Sequence, residues 1–211
     1  MRAQATEGPV LDVRNLGFAY PGQPALAADW TGSFGPGLTL LYGDTGSGKS
    51  TLLRVLAGTL AARGQLRLNG VRLDEDAGAY RRNVFFVDPA TDAFDPLGVR
   101  ACTDAMREGD AGFDEALWQR LVDGFALAPH LEKSMFMLST GSKRKVWLAA
   151  ALASGRPLVL LDEPTGGLDA ASIRCLWRTL VEETRGRAIV VASGERVEGL
   201  PLAATVALPL R

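Results

Sequence analysis

Long hydrophobic runs are missing from this sequence. The longest apolar stretches, Val146–Ala153 and Leu200–Leu210, fall well short of the roughly 20 residues a membrane-spanning helix requires, and the second is broken by Pro201 and Pro209. The opening, Met1–Val10, has no apolar signal core, so no secretory leader is expected and any membrane role calls for another polypeptide. Charge of one sign is also missing. With 23 Lys and Arg against 24 Asp and Glu, the formal net charge is −1, which gives no whole-molecule field for nucleic acid or an anionic membrane. Cysteine is scarce. Cys102 and Cys175 have neither metal-ligand spacing nor the density of a disulfide framework, and read as reduced thiols of a cytosolic protein. Apolar residues make up 47% of the 211 positions, ample for a packed core in one large domain or two small ones.

Patterning along the chain predicts alternating elements. Val10–Leu16 alternates apolar and polar residues as a strand does, and Phe18-Ala19-Tyr20 runs to the turn pair Pro21-Gly22. Leu38–Tyr42 and Leu158–Leu161 are short apolar runs expected as buried strands. Lys49–Ala57 and Ala170–Glu183 carry helical spacing, the first closed by Gly58. Asn69-Gly70 between Gln65–Leu68 and Val71–Leu73 is a hairpin signal. Asn83–Val87, Ala188–Ala192 and Thr205–Leu208 read as further strands, and the stretch from about Asp92 to Ala153 reads as helical. Strands alternating with helices predict an α/β domain with a largely parallel sheet, a smaller β part near the start and a helical insert.

One motif carries clear chemistry. Gly43-Asp44-Thr45-Gly46-Ser47-Gly48-Lys49-Ser50, followed by Thr51, fits G-x-x-x-x-G-K-[ST] between an apolar strand and a helix. Glycines allow main-chain N–H groups to turn inward around phosphate oxygens, and the helix beginning near Lys49 presents its positive end to them. Lys49 is expected to reach the terminal phosphates and Ser50 to give a hydroxyl to Mg²⁺. A second buried strand ends in Asp162-Glu163: the aspartate is the expected Mg²⁺ residue and Glu163 the group that orients and deprotonates an attacking water.

Further motifs follow in order. Leu138-Ser139-Thr140-Gly141-Ser142 resembles the L-S-G-G-Q signature of the ATP-binding-cassette family, and Lys143-Arg144-Lys145-Val146 resembles the basic run after it. Asp162 to Asp169, DEPTGGLD, looks like that family's D-E-P-T-S-A-L-D, and Tyr20 matches its aromatic loop. The resemblance spans essentially the whole chain. It implies a P-loop NTPase fold: a three-layer α/β core with a mainly parallel sheet, an N-terminal antiparallel part and a helical subdomain at about 92–153, within one domain over 1–211. It also implies that Ser139, Thr140 and Gly141, at a helix N-terminus, bind the γ-phosphate of ATP held by an opposite subunit in a head-to-tail homodimer or heterodimer, a placement that the helix dipole favours. Tyr20 would stack on adenine. Lys143–Lys145 is expected as a solvated helix face, Asp74-Glu75-Asp76 as a loop, and His130 as a loop or helix start.

The sequence departs from the family pattern in three places. Gly194 stands where the family has a histidine after the strand ending near Ala192, and the only histidine, His130, lies elsewhere. The glutamine expected after Val84–Val87 is absent; the sequence there is Val87-Asp88-Pro89-Ala90, and Asp88 is a candidate to approach Mg²⁺ instead. Thr140 and Ser142 replace a glycine and the glutamine of the signature. Lys49, Ser50, Asp162 and Tyr20 therefore predict ATP–Mg²⁺ binding and Glu163 predicts hydrolysis, made slow or partner-dependent by the missing groups. The resemblance implies an ATPase subunit energising separate transmembrane permease subunits, with no nucleic acid as partner, placed in the cytoplasm and peripheral on the cytoplasmic face of the inner membrane. The alternatives are a soluble ATP-dependent switch and a degenerate half of a heterodimer.

Overall fold

The computed structural model describes residues 10–182, 184, 186–197 and 199–210; the expectation about a signal core falls almost wholly on residues outside these. Two sheets organise the chain. The first is antiparallel, in the order β2-β1-β4-β5, built from β1 (Leu11–Phe18), β2 (Ala27–Phe34), β4 (Arg63–Leu68) and β5 (Val71–Arg72). The second is parallel, in the order β6-β7-β8-β3-β9, built from β3 (Gly37–Tyr42), β6 (Val84–Phe86), β7 (Leu158–Asp162), β8 (Ala188–Ser193) and β9 (Leu202–Ala207). No helix among the described residues is long and apolar enough to cross a membrane.

The layers follow from strand periodicity. Leu158 and Leu160 of β7 with Val190 and Ala192 of β8 face one core, where helix α1 (Lys49–Leu56) buries Leu52, Leu53, Val55 and Leu56 between the two sheets. Val159, Leu161, Ile189 and Val191 face the opposite way, into a core shared with α3 (Val99–Arg107), α4 (Glu115–Gly124), α5 (Thr140–Ala153) and α6 (Ala170–Glu182). Each fully buried Leu or Val on these faces contributes roughly 1.5–3 kcal/mol. The apolar run Val146–Ala153 is buried at every position because it forms the C-terminal part of α5, packed among α3, α4, α6 and β7.

Several boundaries move from the sequence expectation. β2 and the short helix α2 (Ala77–Arg82) were not visible in the pattern. The acidic run before α2 lies in a loop, as expected, and is bonded within it: the Asp76 side chain caps α2 by accepting from the Ala79 N–H, and Asp74 and Glu75 both pair with Arg72. Residues 92–98 are not helical, with helix beginning only at Val99, and His130 lies in a 3-10 turn. Both cysteines are buried free thiols, and burial pushes Cys102 up to about 12.

Candidate functional site

Three neighbouring parallel strands deliver the site. In the order β7-β8-β3, Asp162 aligns with Ala192 and Ser193 with Tyr42, so Glu163, Gly194 and Gly43 leave the carboxyl edge of the sheet side by side. Ligands of open α/β sheets bind at this edge. A cleft of about 680 Å³ opens there, lined by the 45–51 loop, Glu163, Thr165, Gly166 and the turn Ser193-Gly194-Glu195.

The loop from Gly43 to Thr51 wraps the start of α1. Gly48, its N-cap, holds φ 98°, which a side chain would resist, and a Cβ on Gly43 would come within 2.5 Å of Ser47 Oγ. Lys49 is buried at 7% exposure, and its Nζ donates to the main-chain oxygens of Gly43 (2.7 Å) and Asp44 (3.2 Å). The same Nζ pairs with Glu163 Oε1 at 3.3 Å. All three ammonium donors are thereby engaged at the floor of the cleft. Glu163 has a left-handed backbone, φ 42°, and its Oε1 also accepts from the Gly194 N–H at 3.0 Å.

Asp162 Oδ1 is buried without a partner, and the Ser50 hydroxyl lies near enough to its carboxyl to favour the charged form. Burial pushes its carboxyl above the usual range; the Ser50 contact opposes this, and the charges of Glu163 and Asp88 add to it. A buried carboxylate oxygen beside a hydroxyl suits a small oxygen-seeking cation. Mg²⁺ is commonly held by one or two carboxylates, with phosphates and water completing its shell. Among the described residues no cluster of three or more His, Cys, Asp or Glu offers another cation site.

Asp88 is differently placed from the expectation that it approaches the metal. Its Oδ2 is taken by Arg54 of α1, with both guanidinium contacts at 2.8 Å, and its Oδ1 accepts from the Ala90 N–H. It reaches Asp162 through its charge, not through a free oxygen. Tyr20 stands at the rim, 42% exposed, sharing a 3.3 Å hydrogen bond with Thr51 Oγ1 and meeting Phe18 edge-on.

Ser139 caps α5, its Oγ accepting from the Ser142 N–H at 3.2 Å. Ser139 and Thr140 are exposed and Gly141 is half-buried, so the segment faces outward and stands apart from the chain's own cleft. The basic run behind it is not the solvated face expected. Lys143 pairs with Asp95, Lys145 with Asp169 at 2.6 Å, and Arg144 donates to the Gly166 oxygen. The Lys145 contact, with the Ser172 bonds, holds the Asp169 carboxyl well below the usual range. Sequence reasoning missed Arg54, Arg144 and the Gly194 amide. Only the pair Gly166-Gly167 signalled that something approaches closely there.

Comparison with known proteins agrees with this geometry. The ABC transporter family profile matches residues 34–166. The chain is 37% identical over 189 residues to the cytochrome c biogenesis ATP-binding export protein CcmA of Rhodospirillum rubrum, covering 89% of this chain and 81% of that one. It is 36% identical over 142 residues to the molybdenum import ATP-binding protein ModC 1 of Azotobacter vinelandii, covering 64% of this chain and 39% of that one. A solved structure of an ATP-binding subunit of an ABC transporter superposes with a TM-score of 0.72 at 27% identity, covering 87% and 79% of the two chains. The chain belongs to the ABC transporter family and is an ATP-binding ATPase domain of it.

Proposed function

We propose that this chain binds ATP with Mg²⁺ in the cleft at the sheet edge, closes head-to-tail on a second ATPase chain, and energises transport through separate transmembrane subunits at the cytoplasmic face of the inner membrane. The observation that carries the reading is the meeting of Lys49, Ser50, Asp162 and Glu163 beneath the main-chain amides of residues 43–51. The loop amides and Lys49 would cradle the phosphates, with Gly43, Asp44, Thr45, Gly46, Ser47, Gly48 and Thr51 shaping the turn. Ser50 and Asp162 would hold the ion, which lowers the charge developing on the phosphates when bound. Asp88 would stay on Arg54 and act on the ion by charge. Glu163 would take the proton of the water that attacks the γ-phosphorus, as ADP leaves. Tyr20 would stack on adenine, and the outward-facing Ser139–Gly141 segment would meet the partner's γ-phosphate.

The exposed side chains Phe136 (66%) and Met137 (61%) support a membrane partner. The Phe136 N–H donates to the Asp95 oxygen and the Met135 N–H to the Leu97 oxygen, so this apolar pair continues the 88–99 segment. A helix end of a transmembrane subunit would dock there. The test is Glu163→Gln. It should keep Mg²⁺-dependent ATP binding, remove phosphate release and favour an ATP-bound dimer in size-exclusion chromatography. Persistent turnover would remove Glu163 from its role, and a consistently soluble dimer that never co-purifies with a multi-spanning protein would favour the switch reading.

A further inference from the structure

We infer that the main-chain N–H of Gly194 is the group that holds Glu163 in its working position during ATP hydrolysis, supplying from the backbone what no side chain supplies at this position. The inference rests on the ATPase reading of the cleft.

In this structure Glu163 Oε1 has two donors, Lys49 Nζ at 3.3 Å and Gly194 N–H at 3.0 Å. They differ in permanence. Lys49 has three N–H groups and all three are in use on Gly43 O, Asp44 O and Glu163. Phosphate oxygens arriving in the cleft compete for that ammonium. The contact most easily surrendered is the longest one, to a carboxylate whose side chain is 48% exposed, whereas the 2.7 Å bond to Gly43 O is buried. Once Lys49 turns to the nucleotide, the Gly194 N–H is the donor left on Oε1.

The backbone around that amide is built to hold it. Ser193 ends β8 in register with Tyr42, its side chain is buried, and its Oγ accepts from the Glu195 N–H at 3.1 Å, which fixes the turn that aims the Gly194 N–H. From the other side, the Glu163 N–H donates to the Ala192 oxygen at 2.9 Å, which accounts for the left-handed backbone of Glu163: its main chain and its carboxylate both bond to the end of β8. Gly194 is therefore a positioning residue acting through Glu163.

The test compares Gly194→Pro, which deletes the N–H, with Gly194→Ala, which keeps it. A Cβ at 194 would meet only ordinary contacts of 3.7–3.9 Å, and Ser193, being extended in β8, tolerates a following proline. Losing one hydrogen bond to a charged group should lower kcat by about ten- to hundredfold in the proline variant. The alanine variant should lose less than about threefold, and ATP affinity should change little in either. Hydrogen exchange at the Gly194 amide gives a readout that needs no proline. In ATP-bound protein it should stay slow in Glu163→Gln, which keeps an acceptor oxygen, and become fast in Glu163→Ala. Equal exchange in those two variants, or equal kcat in the proline and alanine variants with ATP still bound, overturns the inference alone. If the unaltered protein binds no ATP, the ATPase reading falls and takes this inference with it.

Discussion

Introducing a histidine at position 194 is the sharpest test of whether the missing imidazole slows turnover at this site. A Cβ on Gly194 would stand 3.7 Å from Glu163 Oε1, 3.8 Å from Gly43 O and 3.9 Å from Lys49 Nζ, all ordinary contact distances. The residue is outside the left-handed region, so a side chain needs no backbone change. All three of these neighbours are polar, and Glu163 and Lys49 line the cleft where the γ-phosphate would sit. The Gly194 amide already serves the carboxylate of Glu163, but it gives nothing to the phosphate. An imidazole would add one donor there. One preorganised donor is worth about 10²–10³ in rate when fully desolvated. Glu163 is half-exposed, and a newly introduced side chain loses rotamer freedom, so the expected gain lies lower, about ten- to hundredfold in kcat. The assay is steady-state Mg²⁺-dependent phosphate release at saturating ATP, with ATP affinity measured alongside. A donor that acts on the transition state raises kcat and leaves KM nearly unchanged. An unaltered kcat in a folded, ATP-binding Gly194→His protein would refute the reasoning.

Two further outcomes follow from the same geometry. Tyr20→Ala should weaken ATP binding by about 1–3 kcal/mol, the worth of one base–aromatic stack, while Tyr20→Trp should hold it; calorimetric titration reads both, and equal affinity in all three proteins would place adenine elsewhere. Asp162→Asn should raise the melting temperature of nucleotide-free protein at pH 7 by roughly 2–4 °C per 1 kcal/mol recovered, while ending the stabilisation given by Mg²⁺–ATP. The sign follows from burial, which raises the Asp162 carboxyl in the folded state. Its contribution to stability is complete below the ordinary carboxylate range and is lost as pH rises through the raised value, so the advantage of Asn should vanish toward pH 3 in a thermal-shift series. A lower melting temperature than that of the unaltered protein at pH 7 would contradict it.

Contiguity decided what could be read from the sequence. The loop from Gly43 to Thr51 announces itself because its chemistry is packed into nine successive positions flanked by the right elements, and Asp162-Glu163 because it ends an apolar run. The parallel sheet follows from strands that are apolar on both faces, as β7 and β8 are. β2 escaped because Ala27–Phe34 buries little more than its two ends, leaving no apolar alternation to detect. α2 escaped because six residues containing Gly78 give no period, and its cap, Asp76, lies in an acidic run. The Arg54–Asp88 pair joins residues 34 apart through an ion pair that no local pattern encodes. At Gly194 the sequence displays the absence of a side chain, whereas the hydrogen bond made there comes from the main-chain N–H, which every residue but proline carries.

The double glycine at 166–167 has a structural meaning of its own. A Cβ on Gly166 would collide with Arg144 Nη1, and a Cβ on Gly141 would collide with the Gly167 oxygen. Without those methyl groups the first turn of α5 lies directly on the segment after Glu163. Arg144 bonds the Gly166 oxygen, Lys145 pairs with Asp169, and Asp169 caps α6 by accepting from the Ser172 N–H. The Gly166 N–H in turn donates to the Glu163 oxygen at 3.1 Å. Successive contacts therefore join the first turns of α5 to the main chain of Glu163. Side chains at 141 or 166 would force the two segments apart and leave Arg144 half-buried without its acceptor, which is costly for a cation. The glycines thus do for the site what a longer polar side chain could not: they let main chain meet main chain. The basic run that looks like a surface patch in the sequence is thus bonded, through Arg144 and Lys145, to the segment that follows Glu163.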